Sequence, residues 1–223
     1  MAHSTQSKES DTQDGGLLST ITAVLWFKGL GTMSFISLFF GAYFYLLKNP
    51  SSSVTIMPLT AADRLIGFEP LALPLYLSLW VYVSLPPLLM RTQRAIIEYG
   101  LWIGGLCVFA LLIYYFFPNA VPPAHIDWAL YPGVAFLKEI DVAGNACPSL
   151  HVATAVFSGF WLHWLLRNVG LNRGTRVVNA LWCIAIVYST MATKQHVALD
   201  VLAGGALGVL FAWYSRPMFA TRT

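Results

Sequence analysis

Six stretches of the chain are apolar for long enough to cross a bilayer, and no other feature limits its fold so severely: residues 22–47, 71–90, 99–117, 149–166, 176–193 and 197–215. A span needs about 20 mainly apolar residues. In lipid every backbone N–H and C=O must be satisfied within the protein, which leaves helices or a closed barrel, and runs this long and apolar on both faces are helices. Only 10% of the 223 residues are charged, against roughly a quarter in a soluble domain. Lipid is therefore the solvent for most of the chain. The expected fold is all-α: a polytopic membrane protein, built as a six-transmembrane-helix bundle with short interfacial helices in its outer loops, over residues 21–217.

Residues 1–20 are polar, mixed in charge and without an apolar run, and read as a disordered cytoplasmic tail; residues 218–223 read as a second, short one. The first apolar run is too long for the core of a cleaved signal and has no small-residue cleavage site behind it, so it is expected to stay as the first helix. Six spans put both termini on one side. Lys8, Lys28, Arg91, Arg94, Arg167, Arg173, Arg176, Arg216 and Arg222 fall there, whereas Lys48, Arg64, Lys138 and Lys194 fall on the other. Nine cations against four predict cytoplasmic termini in, for instance, a bacterial inner membrane. The 48–70 and 118–148 loops and the turn near residue 195 then face outward. Without a basic cluster interleaved with aromatics, the net charge of +3 reports this asymmetry and does not point to nucleic acid. Cys107, Cys147 and Cys183 offer neither a CxxC nor a Cys/His metal spacing, so no disulfide, metal or cofactor is expected.

Ionisable residues at the edge of a membrane span are costly, which makes each a functional hypothesis. The first place is "CPSLH", residues 147–151. Proline suits the first position of a helix, so the fourth span should start near Pro148, with Ser149 and His151 in its first turn. Unsatisfied N–H groups and the positive end of the helix dipole make such a turn a ready anion site. Taken alone, the segment fits equally well a capping serine and an interfacial histidine that touches water. The second place is "STMATKQHVALD", residues 189–200. His196 and Asp200 are four apart and share one face if the sixth helix includes both. A carboxylate behind an imidazole fixes its tautomer and stabilises the imidazolium, and an Asp one turn into an apolar helix needs such a partner. Lys194 adds a cation for phosphate oxygens, although an interfacial anchor explains it nearly as well. His125 and His163 read as a solvated loop residue and an interfacial hydrogen-bonder. Gly204 and Gly208 read as a close helix-packing motif, the many Trp and Tyr as interface belts, and Arg91 and Arg94 as topology signals on the wrong face to meet phosphate.

"PSLH" followed by "HVALD" resembles the type 2 phosphatidic acid phosphatase superfamily of membrane lipid phosphatases. Its second signature, P-S-x-H, is matched by Pro148, Ser149, Leu150 and His151; its third, S-R-x5-H-x3-D, by Ser189, His196 and Asp200, with Thr190 at the arginine position. Its first, K-x6-R-P, has no counterpart in "YYFFPNAVPPAHIDW", residues 114–128. That absence is similar to a branch that includes inositol phosphorylceramide synthase-like phosphotransferases. The resemblance implies six spans, a site on the outer (periplasmic or lumenal) face, no metal, and a lipid phosphate or pyrophosphate substrate. It implies that His196 attacks phosphorus to give a phosphohistidine, that Asp200 orients His196, and that His151 protonates the leaving oxygen. Ser149 and Lys194 would hold phosphoryl oxygens, since in-line positioning and charge stabilisation are what phosphoryl transfer mainly requires.

Hydrolysis is the leading expectation; transfer of phosphoryl or a phospho-headgroup to an alcohol through the same intermediate is the alternative. A non-catalytic membrane protein that ligates haem or relays protons would also use helix-borne histidines, but it leaves Ser149 and Asp200 without a role. The outer segment 125–145 mixes Trp128, Tyr131, Phe136 and Leu137 with Asp127, Lys138, Glu139 and Asp141, a pattern expected to lie on the membrane surface. The identity of the lipid and the oligomeric state are not legible in the sequence.

Overall fold

Five of the six apolar runs form helices long and apolar enough to cross a membrane: Leu25–Lys48, Pro70–Leu89, Gln93–Phe116, Arg173–Ala192 and Ala198–Ser215. The computed structural model describes residues 20, 22–140 and 144–220. The tails expected at residues 1–19 and 221–223, and the surface role expected of Asp141, lie outside the described residues. In chain order the helices are α1 (Leu25–Lys48), α2 (Ala61–Leu65), α3 (Leu73–Leu77), α4 (Leu79–Leu89), α5 (Gln93–Phe116), α6 (Pro132–Ile140), α7 (Leu150–Asn168), α8 (Arg173–Ala192) and α9 (Ala198–Ala220). This is a mostly helical, polytopic membrane protein.

The fourth run differs from the other five. It forms α7, of 19 residues, in which two histidines, an arginine and several small polar side chains dilute the apolar character. Ten of its residues are buried, and α4, α8 and α9 all pack against it. A helix enclosed by protein can carry groups that lipid would exclude. The second run also departs from a plain span: a 3-10 turn at Pro70–Ala72 leads into α3, and α3 gives way to α4 at Ser78. The third helix begins at Gln93, six residues before the expected start, where the Thr92 hydroxyl caps Ala95 N–H at 3.2 Å.

Close approach of α7 and α9 depends on two glycines. A Cβ at Gly204 would collide with the Ser149 carbonyl oxygen, and one at Gly208 would stand 2.6 Å from the Ala153 carbonyl oxygen. The small-residue motif therefore works as packing, as expected. Many of the tyrosines assigned to interface belts are instead interior and have defined partners. Tyr82 donates to Asn179 Oδ1 at 2.7 Å, Tyr99 bonds Ser158 Oγ at 2.9 Å, and Tyr114 donates to the Pro148 carbonyl. Lys28, counted among the orienting cations, is buried in α1 and donates to the Leu88 carbonyl at the end of α4 (2.8 Å) and to the Thr20 carbonyl (2.9 Å). Cationic groups are favoured at such a helix C-terminus, where carbonyls lack intrahelical partners.

The helix order gathers the N-termini of α3, α7 and α9 and the C-termini of α1, α5 and α8 at one end of the bundle. The connecting segments there form α2, α6 and a two-residue parallel pairing of β1 (Thr55–Ile56) with β2 (Asn119–Ala120). Phe68 packs edge-on against Trp128 and Tyr131, with ring centroids 5.5 and 5.0 Å apart. Lys138 of α6 lies 5.5 Å from the Trp128 ring centroid.

Candidate active site

The loop that delivers "PSLH" is held from below and from the side. Asn119 Oδ1 accepts from Ala146 N–H (2.9 Å) and Cys147 N–H (2.7 Å), and its amide donates to the Cys147 carbonyl at 2.9 Å. With Tyr114 on the Pro148 carbonyl, the loop is fixed in register before α7 begins. Helix α7 starts two residues later than proline's preference suggests: Ser149 is its N-cap, accepting from Val152 N–H at 3.2 Å, and Leu150 is its first residue. Ser149 is fully buried, and its own N–H donates to the Asp200 carbonyl at 3.0 Å. His151 is in the first turn, as expected.

The second segment is a tight turn between α8 and α9. Thr190, at the position where the resemblance calls for arginine, is fully buried, and its carbonyl accepts from the N–H groups of Gln195 (3.0 Å) and His196 (3.1 Å). Lys194 adopts a left-handed backbone, φ +56°, which costs a non-glycine residue energy unless its surroundings enforce it. They do so from three sides. Lys138 Nζ donates to the Lys194 carbonyl at 2.6 Å, Lys194 Nζ donates to the Ile66 carbonyl at 2.6 Å, and Asp63 Oδ1 accepts from Ala198 N–H at 2.7 Å. Burial alone would raise the Asp63 pKa. Hydrogen bonds from Thr60 N–H, the Thr60 hydroxyl and Ala198 N–H, together with the Lys194 charge, hold it below the usual carboxylate value.

These two supports bring together His151, in the first turn of α7, and His196, which lies in the turn just before α9 and not on that helix. His151 Nδ1 is 3.2 Å from His196 Nε2, and the ring centroids are 5.4 Å apart. Behind His196, Asp200 is fully buried, with Oδ2 3.5 Å from His196 Nδ1 and 3.1 Å from Val197 N–H. On the far side of His151, the Tyr76 hydroxyl of α3 is 2.7 Å from Nε2. The groups form a row: Tyr76, His151, His196, Asp200. His196 thus has one ring nitrogen toward a carboxylate and the other toward the second imidazole, the arrangement a nucleophilic imidazole needs.

Among the five residues singled out from sequence, His151, His196 and Asp200 meet directly. Ser149 touches the same turn through the backbone of Asp200 while its Oγ caps α7. The Lys194 ammonium is engaged by the Ile66 carbonyl and, at 3.5 Å, the Asp63 carbonyl. His125 is exposed and His163 half-buried. Sequence reasoning passed over Tyr76, Asn119 and Asp63. Burial and the neighbouring Asp200 push the Cys147 thiol up to about 11, so it stays protonated and is no competing nucleophile at neutral pH.

A cavity of about 700 Å³ opens from the two imidazoles. His151, Thr154 and His196 line it together with Tyr43 and Trp80, and Phe27 near the start of α1 lines it too. Residues 27 to 44 of α1 run along it, about 25 Å at the helical rise of about 1.5 Å per residue. Its walls are almost entirely apolar. No group of three or more His, Cys, Asp or Glu among the described residues could hold a metal ion.

A family model described as the PAP2 superfamily matches residues 116–223, just under half of the chain. No curated protein and no solved structure matches the chain. The matched segment contains Ser149, His151, Lys194, His196 and Asp200; Tyr76 and Asp63 precede it.

Proposed function

We propose that the protein is an integral-membrane lipid phosphate or pyrophosphate phosphatase that works through a phosphohistidine on His196, with its site on the outer face and α7 as a sixth span. The observation that carries this reading is the contact of two imidazoles, one in the first turn of α7 and one in the turn before α9, the second backed by a buried carboxylate, beside an apolar cavity. His196 Nε2 attacks phosphorus while Asp200 holds the proton on Nδ1. His151 gives its Nδ1 proton to the leaving oxygen, then takes a proton from the water that attacks the phosphohistidine. The first N–H groups of α7 bind phosphoryl oxygens at the positive end of the helix dipole, and the buried Ser149 hydroxyl joins them only by leaving its cap on Val152 N–H. Lys194 joins them only by leaving the Ile66 carbonyl. The cavity takes the lipid chain.

The decisive experiment incubates purified protein with labelled lipid phosphate in the presence of chelator, quenches it, and maps acid-labile label. Label on His196, lost in His196→Ala, supports the reading. Label on His151, or turnover with no labelled histidine, would refute it. The second reading, transfer to an alcohol as in the inositol phosphorylceramide synthase-like branch, is favoured by Thr190 standing where a phosphate-binding arginine is expected. A phosphodiester donor carries less charge than a monoester and needs fewer cations. Product analysis with and without an acceptor lipid separates the two.

A further inference from the structure

We propose that Tyr76 is the positioning residue of His151, and that it keeps the ring proton on Nε2 so that Nδ1 alone exchanges protons with the substrate. This rests on the phosphohistidine reading of the same site.

The two histidines have unlike partners. His196 has a carboxylate behind it; His151 has a phenol, with Tyr76 Oη 2.7 Å from Nε2 and the ring centroids 4.9 Å apart. Tyr76 is buried and stands on the short helix α3. A buried carboxylate stabilises an imidazolium strongly and would make His151 a reluctant acid. A phenol oxygen is neutral, so it accepts the Nε2 proton without holding the positive charge against release. Among the described residues, the groups facing His151 include Tyr76 from α3 and His196 from the turn before α9. Asp200 lies beyond His196, and Tyr114 and Cys147 stand near Asp200.

Each step balances with the proton kept on Nε2. At the start His151 is an imidazolium, with Nδ1–H toward His196 Nε2 and Nε2–H on Tyr76 Oη. The phosphate enters between the rings; the His196 Nε2 lone pair forms the N–P bond, the P–O bond breaks, and its electron pair leaves on oxygen, which takes the Nδ1 proton. His151 is now neutral and still carries Nε2–H. Its Nδ1 lone pair takes a proton from water, the resulting hydroxide oxygen bonds phosphorus, and the N–P electron pair returns to His196. Without the phenol, neutral His151 divides between two tautomers, and the one protonated on Nδ1 has no lone pair for the water step.

The test compares wild type with Tyr76→Phe, which keeps the ring and removes the oxygen. Phosphoenzyme formation from an alkyl phosphate should slow about 10–100-fold, the worth of a hydrogen bond to a charged group, with KM little changed. The loss should be smaller with a nitrophenyl leaving group. The alkaline limb of the pH–rate profile should move to lower pH, because the imidazolium has lost an acceptor. Ring nitrogen-15 resonances of His151, read at a pH where it is neutral, should change from a single Nε2–H tautomer to a mixture. If Tyr76→Phe does not fold, 3-fluorotyrosine at position 76 keeps the shape, weakens the acceptor and should shift the same limb less far. An unmoved alkaline limb, unchanged leaving-group dependence and an unchanged tautomer would each overturn the assignment. The resonance measurement reads Tyr76 with or without turnover, so a wild type lacking phosphohistidine and a Tyr76 without effect on His151 are distinguishable results.

Discussion

Helices α1 and α7 sit on opposite sides of the same cavity and are opposites in composition. Helix α1 is strongly apolar, yet only 6% of its spanning window is buried; Leu30, Met33 and Leu38 face outward. Helix α7 is not among the helices apolar enough to count as a span, and it has ten buried residues. In water the apolar helix would be the one inside. In lipid, apolar side chains lose nothing by facing out, and polar ones gain partners by facing in. Apolarity therefore marks the wall and polarity the axis, and a search for greasy segments alone finds the wall more readily than the helix that carries His151.

The comparison can be tested by substitution, beginning where the effect should be largest. Asp200→Asn keeps the shape of a fully buried side chain but removes the charge behind His196. Turnover should fall by roughly two to four orders of magnitude with little change in thermal midpoint in detergent. Near-normal activity would end the role of Asp200 as orienter. Gly204→Ala puts a methyl group against the Ser149 carbonyl oxygen, a backbone atom that cannot step aside, and should cost about 1–3 kcal/mol of stability. A variant as stable as wild type would mean that α7 and α9 are not held at contact distance.

Asp63→Ala removes the acceptor on Ala198 N–H and should cost about 0.5–2 kcal/mol, as loss of an N-cap does. Because the Asp63 pKa is lowered on folding, its contribution is fully present above the ordinary carboxylate value and disappears as pH falls through the lower folded value. The stability difference between wild type and variant, followed by thermal unfolding, should therefore be constant near neutrality and close only in acid. A gap that closes on the alkaline side would contradict the sign. Smallest of all, Leu38→Ala on the outward face of α1 should change stability by no more than about 0.5 kcal/mol. A larger loss would show that this face meets protein, not lipid.

His151, His196 and Asp200 could be read from sequence because each is expensive near lipid and unexplained without the others. Tyr76 could not: an amphipathic side chain near the end of a span already has a sufficient reason to be there, and only the fold shows its hydroxyl on an imidazole. Lys194 shows the converse. A cation beside a phosphate site reads as a ligand, but α2 ends at Ile66 with carbonyls that need donors, and the folded chain brings the lysine to them. Asn119 and Asp63 lie in loops where polar residues are ordinary, so nothing in composition separates them from solvated neighbours. The long runs were legible as helices, whereas the break at Ser78 and the enclosure of α7 depend on neighbours far along the chain.

The 3.2 Å contact between His151 and His196 leaves no space for phosphorus. Any phosphate that reaches His196 Nε2 must first part the rings, and the cost of parting them lowers its apparent affinity. On the proposed reading, a bare phosphate ion has only its own charge with which to do this, whereas a lipid has a chain whose burial contributes about 0.8 kcal/mol per methylene. Remote binding energy is then converted into access to the nucleophile. Discrimination between a lipid and a water-soluble phosphate becomes a property of the closed histidine pair as much as of the cavity. Once the chain departs, the rings can close and the freed phosphate is the weaker competitor for the space between them.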